Sequence, residues 1–256
     1  MLEIIDTFNT PLFLGVTVLS TILFFAVYNN SYQLSKLFKF GEIYSKLNEK
    51  NREEWDQRVT SLVHSALVSP VALYIYFSTF NSDPLFTFNM TMNVLVGVTS
   101  GYFIWDFWTC VIMKPKITGV AMIFHAILGL TATIYVVLPH ARPLYIRFTC
   151  LNIISEISTI FLNLKSFEFH NDAKSKRHEL YSLCFALSFI LVRCVWMIPL
   201  ILNCCYQSYL VLDSIPFDKV MVLYIESTIC ITLNLYWCRL LSKKLFEKFF
   251  GSKKKH

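Results

Sequence analysis

Residues 91–113 read TMNVLVGVTSGYFIWDFWTCVIM, a run of 23 residues in which Asp106 is the one charged side chain. An α-helix needs about 20 consecutive apolar residues to cross the hydrocarbon core of a bilayer. Within lipid the backbone must satisfy its own hydrogen bonds, so the run is predicted to be a transmembrane helix. It shows no strict alternation of apolar and polar residues, which argues against a strand of a membrane barrel.

Runs of similar length and composition recur along the chain. Hydrophobic residues make up 55% of the 256 and charged residues only 16%, whereas a soluble protein carries about 25% charged residues. We therefore predict an all-α membrane protein with about seven transmembrane helices. The seven runs cover residues 11–28, 61–80, 91–113, 118–138, 144–164, 180–203 and 220–241.

The basic residues alternate from one connection to the next. Nineteen of the 23 Lys and Arg residues lie in the odd-numbered connections and the C-terminal tail, and three lie on the opposite side. The positive-inside rule then predicts a cytosolic C-terminus and an N-terminus on the opposite side. The net charge of +6 is thus a topology signal, and we expect basic loops at anionic lipid headgroups rather than nucleic-acid binding.

Six ionisable side chains fall inside the predicted helices, where each is costly and therefore a functional hypothesis. They are His64, Asp106, His125, Glu156, Arg193 and Glu226. Asp106, His125 and Glu156 each lie eight residues from the predicted cytosolic end, about 12 Å along a helix. The shared depth favours a common site, and the alternative is packing through hydrogen bonds worth about 0.6–2 kcal/mol each.

Three further sequence patterns concern helix packing, metal binding and glycosylation. Gly97-Val98-Thr99-Ser100-Gly101 is a GxxxG motif, which predicts close packing within the bundle or, alternatively, dimerisation. The eight cysteines form no CxxC motif and the histidines no HxxxH motif, so no metal and no cofactor are expected. Asn89-Met90-Thr91 is a glycosylation sequon, and whether it is used stays open.

Five motifs in order resemble those of one membrane-protein family, the TLC domains. Residues 55–65 (WDQRVTSLVHS) resemble W-x-x-R-x-x-S-x-x-H-S, and residues 100–106 (SGYFIWD) resemble S-G-Y-x-x-x-D. Phe124-His125 lies where the family has two histidines. Residues 155–163 (SEISTIFLN) are similar to E-x-S-x-x-F-x-N of the members outside the ceramide synthases, and residues 192–199 (VRCVWMIP) to V-R-x-x-x-M-x-P.

The resemblance implies an organisation and a location. It implies a six-helix barrel around a lipid-accessible cavity, preceded by one N-terminal helix, in the endoplasmic reticulum membrane. The domains would be residues 1–54 (N-terminal helix and cytosolic linker), 55–243 (TLC domain) and 244–256 (basic cytosolic tail). Lys253 and Lys254, fourth and third from the end, are similar to a dilysine retrieval signal read by coat-type machinery.

The match departs from the family's enzymes at the catalytic positions. Ceramide synthases transfer an acyl group from acyl-CoA to a sphingoid base, and paired histidines with a downstream H-D-x-x-D motif carry their catalysis. Here Phe124 replaces one histidine. Leu151, Asn152 and Ser155 stand at the positions of the downstream motif. These departures disfavour ceramide synthesis and favour the subgroup concerned with lipid homeostasis.

Two functions therefore stand as hypotheses. In the first, the barrel binds or senses a membrane lipid, a sphingolipid or a phospholipid, with His64, Arg193 and Glu226 as lipid-binding residues. In the second, an acyltransferase uses His125 as nucleophile or general base, oriented by Glu156 or Asp106, with acyl-CoA as its partner. A transporter ranks last, because the sequence shows no inverted repeat.

Overall fold

The computed structural model of the chain describes residues 8–37, 40–113, 120–135 and 144–250. The chain divides into two compact units, residues 1–156 and residues 157–256. The described residues of both units form helices joined by turns. The chain is an all-α membrane protein, as the apolar runs predicted.

The described residues of the first unit form seven α-helices before an eighth begins at Glu156. Two of them continue into π-helical turns, Phe107–Met113 after α5 and Thr131–Tyr135 after α6, and a short 3₁₀ turn, Ile153–Ser155, follows α7. The α-helices are α1 (Thr10–Asn29), α2 (Ser31–Leu37), α3 (Gly41–Lys46), α4 (Glu49–Ser78), α5 (Met90–Asp106), α6 (Val120–Leu130) and α7 (Ile146–Asn152).

The second unit is built mainly from two long apolar segments. One runs over residues 176–210 and contains α9, a π-helical turn (Ile190–Trp196) and α10. The other is α11. The α-helices are α8 (Glu156–Asp172, which begins at the last residue of the first unit), α9 (Lys176–Phe189), α10 (Met197–Leu210) and α11 (Phe217–Phe250).

Five helical segments of the described chain are long and apolar enough to cross a membrane. They match the first, second, third, sixth and seventh predicted runs. The fourth run corresponds to a shorter apolar helix, Met122–Tyr135, and its two ends lie outside the described residues. The fifth run is divided, because α7 gives way to the 3₁₀ turn before α8 begins.

Helix α1 packs on α5 through the GxxxG motif. Its buried side chains fall on one stripe, Phe13, Thr17, Ser20 and Phe24. A Cβ atom built on Gly101 would lie 2.6 Å from Ser20 Cβ and 2.7 Å from the Thr17 carbonyl oxygen. The motif therefore serves helix packing within the first unit, because only a residue without a side chain allows the two backbones this close.

Arg147, an intramembrane charge in the predicted fifth run, is satisfied by the end of α4. Its Nε donates to Thr79 Oγ1 at 3.0 Å, and its Nη2 donates to the Thr79 carbonyl at 2.8 Å. The carbonyl groups at a helix C-terminus lack intrahelical partners. Arg147 thus caps α4 and ties it to α7, which explains why the charge is tolerated there.

The two lysines of the predicted retrieval signal, Lys253 and Lys254, lie outside the described residues. Asn89 of the sequon is the N-cap of α5, where its Oδ1 accepts a hydrogen bond from the Met92 amide at 2.9 Å.

The close approach of α1 and α5 predicts opposite effects for two glycines. Gly101→Ala should destabilise the protein by about 1–3 kcal/mol, because the new methyl group meets backbone as well as side-chain atoms. Gly15→Ala is the matched control on α1, since no atom lies within 4 Å of its Cβ position. The control should be neutral or stabilising by up to about 1 kcal/mol. Thermal unfolding in detergent measures both, and equal behaviour of the two variants would contradict the packing described.

Candidate functional site

His64 is a fully buried ionisable side chain of the first unit. It projects from α4, has an exposed fraction of 0%, and stacks flat on the Tyr102 ring of α5 with 3.8 Å between ring centroids. The Phe24 ring of α1 meets it edge-on at 5.7 Å. Neither ring nitrogen has a hydrogen-bond partner among the described residues. A buried side chain in this state is unusual, because the large majority of buried side-chain polar atoms have a hydrogen-bond partner.

Asp106 lies at the end of α5, where the π-helical turn begins, and is 3% exposed. One oxygen, Oδ1, accepts a hydrogen bond from Cys110 Sγ at 3.1 Å. The other, Oδ2, has no partner in the part of the chain that the structure describes, and the same holds for its neighbours Trp105 Nε1 and Thr109 Oγ1. Since π-helical turns are often found at functional sites, these unpaired groups point to a bound molecule.

His125 and Glu156 complete a group of four titratable side chains in the first unit. The Phe103 ring contacts the His64 and His125 rings, at 6.4 and 5.5 Å between centroids. Glu156 lies within electrostatic range of His64, and His125 and Glu156 lie within electrostatic range of Asp106. The four side chains come from α4, α5, α6 and the first residue of α8, and we call them the polar cluster. The structure thus brings together His64 and the three residues named as catalytic candidates.

The polar cluster offers hydrogen-bonding and acid–base chemistry in an apolar setting. The unpaired carboxylate oxygen accepts hydrogen bonds, and an imidazole donates and accepts them. Aromatic side chains surround these groups, since Phe24, Tyr102, Phe103 and Trp105 form one buried group. The arrangement suits a molecule with a polar head and an apolar remainder.

Arg193 lies in the second unit, within the π-helical turn between α9 and α10. Its Nε donates to Ser158 Oγ at 3.0 Å and its Nη2 to Thr159 Oγ1 at 3.2 Å. The guanidinium also lies over the Phe189 ring at 5.5 Å. Pro199 follows this turn, and proline removes a donor and displaces the carbonyl four residues earlier, which accounts for the irregular helix.

Glu226 lies on α11 of the second unit. Its Oε1 is buried and has no hydrogen-bond partner among the described residues. Charges on Arg193 and Glu226 both act on Cys230, which places the two residues in one part of that unit. The sequence also named them together, as lipid-binding candidates.

Several motif residues have structural roles. Trp55 Nε1 donates to Ser35 Oγ at 2.8 Å, which fastens the linker helix α2 to α4. Arg58 pairs with Glu54 one turn earlier, at 2.7 Å. Sequence reasoning did not single out Tyr102 or Phe103, whose rings contact the histidines. Their position in the motif S-G-Y-x-x-x-D was the available signal.

With this geometry in place, comparison with known proteins gives the family. The model of the TLC domain matches residues 54–243, nearly three quarters of the chain. The chain belongs to the TLC-domain family. The resemblance of the five motifs is therefore confirmed.

Its relatives are TLC domain-containing proteins. TLC domain-containing protein 4 C of Dictyostelium discoideum is 36% identical over 249 residues, which cover 95% of this chain and 91% of that protein. TLC domain-containing protein 4 of Homo sapiens is 30% identical over 196 residues, 75% of this chain and 73% of that protein. The 4-B protein of Danio rerio is 27% identical over 225 residues, 84% of this chain and 82% of that protein. No solved structure matches the chain.

These names confirm that the chain resembles family members outside the ceramide synthases. The structure shows what the departures from the synthase motif do. Phe124, at the place of a histidine, is 46% exposed and points away from the buried interior. Leu151 and Ser155, at positions of the downstream motif, are buried. Neither residue supplies the acid that a synthase has there.

Because Asp106 Oδ2 is buried without a hydrogen-bond partner among the described residues, we expect Asp106 to lower the stability of the unliganded protein. In Asp106→Leu the branching at Cγ is kept and the unpaired oxygen is lost. The free energy of unfolding should rise by about 1–3 kcal/mol. The melting temperature should rise with it, by about 2–4 °C for each kcal/mol. The measurement is thermal unfolding of delipidated protein in detergent.

Arg147→Leu is the contrasting variant, because the Arg147 guanidinium donates two hydrogen bonds to Thr79. The substitution removes both bonds, although the Thr79 carbonyl keeps the Ser82 amide as a donor, and should lower stability by about 1–3 kcal/mol. If Asp106→Leu lowered the melting temperature as much as Arg147→Leu, Asp106 would be a packing residue.

Proposed function

We propose that this TLC-domain protein binds or senses a membrane lipid and acts in membrane lipid homeostasis, with the polar cluster holding the lipid headgroup. One observation carries the proposal: the fully buried His64 imidazole and the Asp106 Oδ2 atom have no hydrogen-bond partner among the described residues. A lipid headgroup in contact with them would supply the missing hydrogen bonds.

The energetic argument concerns the cost of burial. A polar group left without a hydrogen bond in an apolar environment costs roughly 1–3 kcal/mol. Together with Trp105 Nε1 and Thr109 Oγ1, His64 and Asp106 concentrate this cost in one part of the first unit. A protein tolerates such a cost where a bound ligand offsets it, because binding sites often carry groups that lower the stability of the free protein.

The surroundings favour an amphipathic ligand. Two of the helices that carry the cluster, α4 and α5, are long and apolar enough to cross a membrane, and aromatic rings border the cluster. Sphingolipids and phospholipids both combine hydrogen-bonding headgroups with acyl chains. We propose that Arg193 and Glu226 of the second unit also contribute to lipid binding, since a guanidinium fork matches phosphate or carboxylate oxygens.

An acyltransferase is the second candidate, and one observation favours it. His125 and Asp106 interact electrostatically, as a general base and an orienting acid do. Against it stands Phe124, which replaces the second histidine of the family's enzymes and is exposed. We therefore rank lipid binding first.

The test is the lipid content of purified protein. Wild-type chain, extracted in mild detergent and analysed by native mass spectrometry, should retain a defined lipid. His64→Phe and Asp106→Leu should each reduce the retained lipid about tenfold, because loss of one buried hydrogen-bonding group costs about 1.4 kcal/mol of binding free energy.

Thr99→Val is the matched control on α5. Thr99 is buried and donates only within its own helix, to the Leu95 carbonyl at 2.9 Å, so its replacement should leave lipid retention unchanged. Absence of a specific lipid from folded wild-type protein would overturn the proposal. The acyltransferase hypothesis is tested by the lipid profile of cells that carry His125→Ala. If that profile matches the profile of deletion cells while the protein level is normal, catalysis becomes the first hypothesis.

We also propose that the protein resides in the endoplasmic reticulum membrane with a cytosolic C-terminus. The family resemblance and the distribution of basic residues support this location. An internal epitope tag, which leaves Lys253 and Lys254 at the end of the chain, would test it by co-localisation with a reticulum marker.

A further inference from the structure

The Phe103 ring contacts both histidines of the polar cluster. Its centroid lies 5.5 Å from the His125 ring, which it meets nearly at a right angle. The same centroid lies 6.4 Å from the His64 ring. Phe103 is buried, 8% exposed, and no chemistry described above uses it.

Gly129 holds this ring in place. A Cβ atom built on Gly129 would lie 2.1, 2.2 and 2.4 Å from Cε1, Cζ and Cδ1 of Phe103. The ring therefore rests directly on the backbone of α6 and occupies the space that any other residue at position 129 would fill. A side chain at 129 would push the ring out of its present position.

A hydrogen bond ties α5 to the π-helical turn that follows α6. Ser100 Oγ donates to the Thr133 carbonyl at 3.1 Å. Thr133 Oγ1 donates within its own helical segment, to the Gly129 carbonyl at 2.8 Å. His125, Gly129 and Thr133 follow one another at intervals of four residues, and each contacts α5 or lies against it. The Phe103 ring therefore lies between two segments that are joined close to it.

We propose that Phe103, seated on Gly129, is a specificity-determining residue that sets the size of the headgroup admitted between His64 and His125. The proposal rests on lipid binding by the polar cluster and deepens it. The ring occupies the space next to both imidazoles, so a headgroup that reaches one of them must fit beside it. Removal of the ring enlarges the space beside the two imidazoles. A side chain at position 129 displaces the ring, and the displaced ring then fills that space.

The proposal predicts a compensating pair of substitutions. Gly129→Ala should displace the ring, lower the melting temperature and reduce retained lipid at least tenfold. Phe103→Leu should retain lipid but shift its composition toward larger headgroups. In the double variant Gly129→Ala with Phe103→Leu, the shortened side chain leaves room for the new methyl group. Both melting temperature and lipid retention should then recover most of the loss caused by Gly129→Ala.

The experiment is native mass spectrometry with lipid identification on the full chain, beside thermal unfolding of the same samples. Phe124→Leu is the control, because Phe124 adjoins His125 in sequence and its side chain is 46% exposed. That variant should keep the lipid composition of wild type. The composition readout matters, since a purely structural role for Phe103 would change stability without changing which lipids are bound.

Three results would overturn the inference. If wild type retains lipid and Phe103→Leu binds the same lipids in the same proportions, Phe103 does not determine specificity, although lipid binding stands. If Phe103→Leu fails to relieve Gly129→Ala, the contact between the ring and the glycine is not what positions it. If folded wild type retains no lipid, the proposed function and this inference both fail.

Discussion

A polar group without a hydrogen-bond partner costs free energy in a medium without water, and the rest of the structure depends on how this cost is met. Membrane helices satisfy their backbones internally, so polar side chains become the critical groups. Arg147 meets the constraint by capping α4 at Thr79. Arg193 meets part of it through Ser158 and Thr159. These residues show that the chain can place a charge among apolar helices when partners are provided.

His64 and Asp106 depart from that pattern. Both are buried, and atoms of both lack partners among the described residues. Other buried polar atoms, such as Ser69 Oγ and Asn93 Oδ1, also lack partners there, but His64 and Asp106 are ionisable and belong to one cluster. The contrast is the physical basis for assigning them to a ligand. The apolar, aromatic surroundings favour an amphipathic molecule as that ligand. The chain also belongs to a family of lipid-related membrane proteins.

The sequence predicted much of the fold because length and hydropathy determine membrane helices almost directly. It also named the four members of the polar cluster as intramembrane ionisable residues, and it gave three of them, Asp106, His125 and Glu156, a shared depth. It could not predict the break between α7 and α8, because the fifth run is continuous in hydropathy. Nor could it predict the unpaired state of His64 or the seat of Phe103 on Gly129. Those features depend on which helix faces meet, and hydropathy alone does not specify that.

An experimental structure of the chain purified with its native lipids would test lipid binding by the polar cluster. We expect an amphipathic molecule whose polar atoms lie within about 3.2 Å of a His64 ring nitrogen or of Asp106 Oδ2. Its acyl portion should lie against the aromatic side chains of the first unit. A structure in which protein groups or water alone satisfy both residues, with no lipid present, would contradict the account.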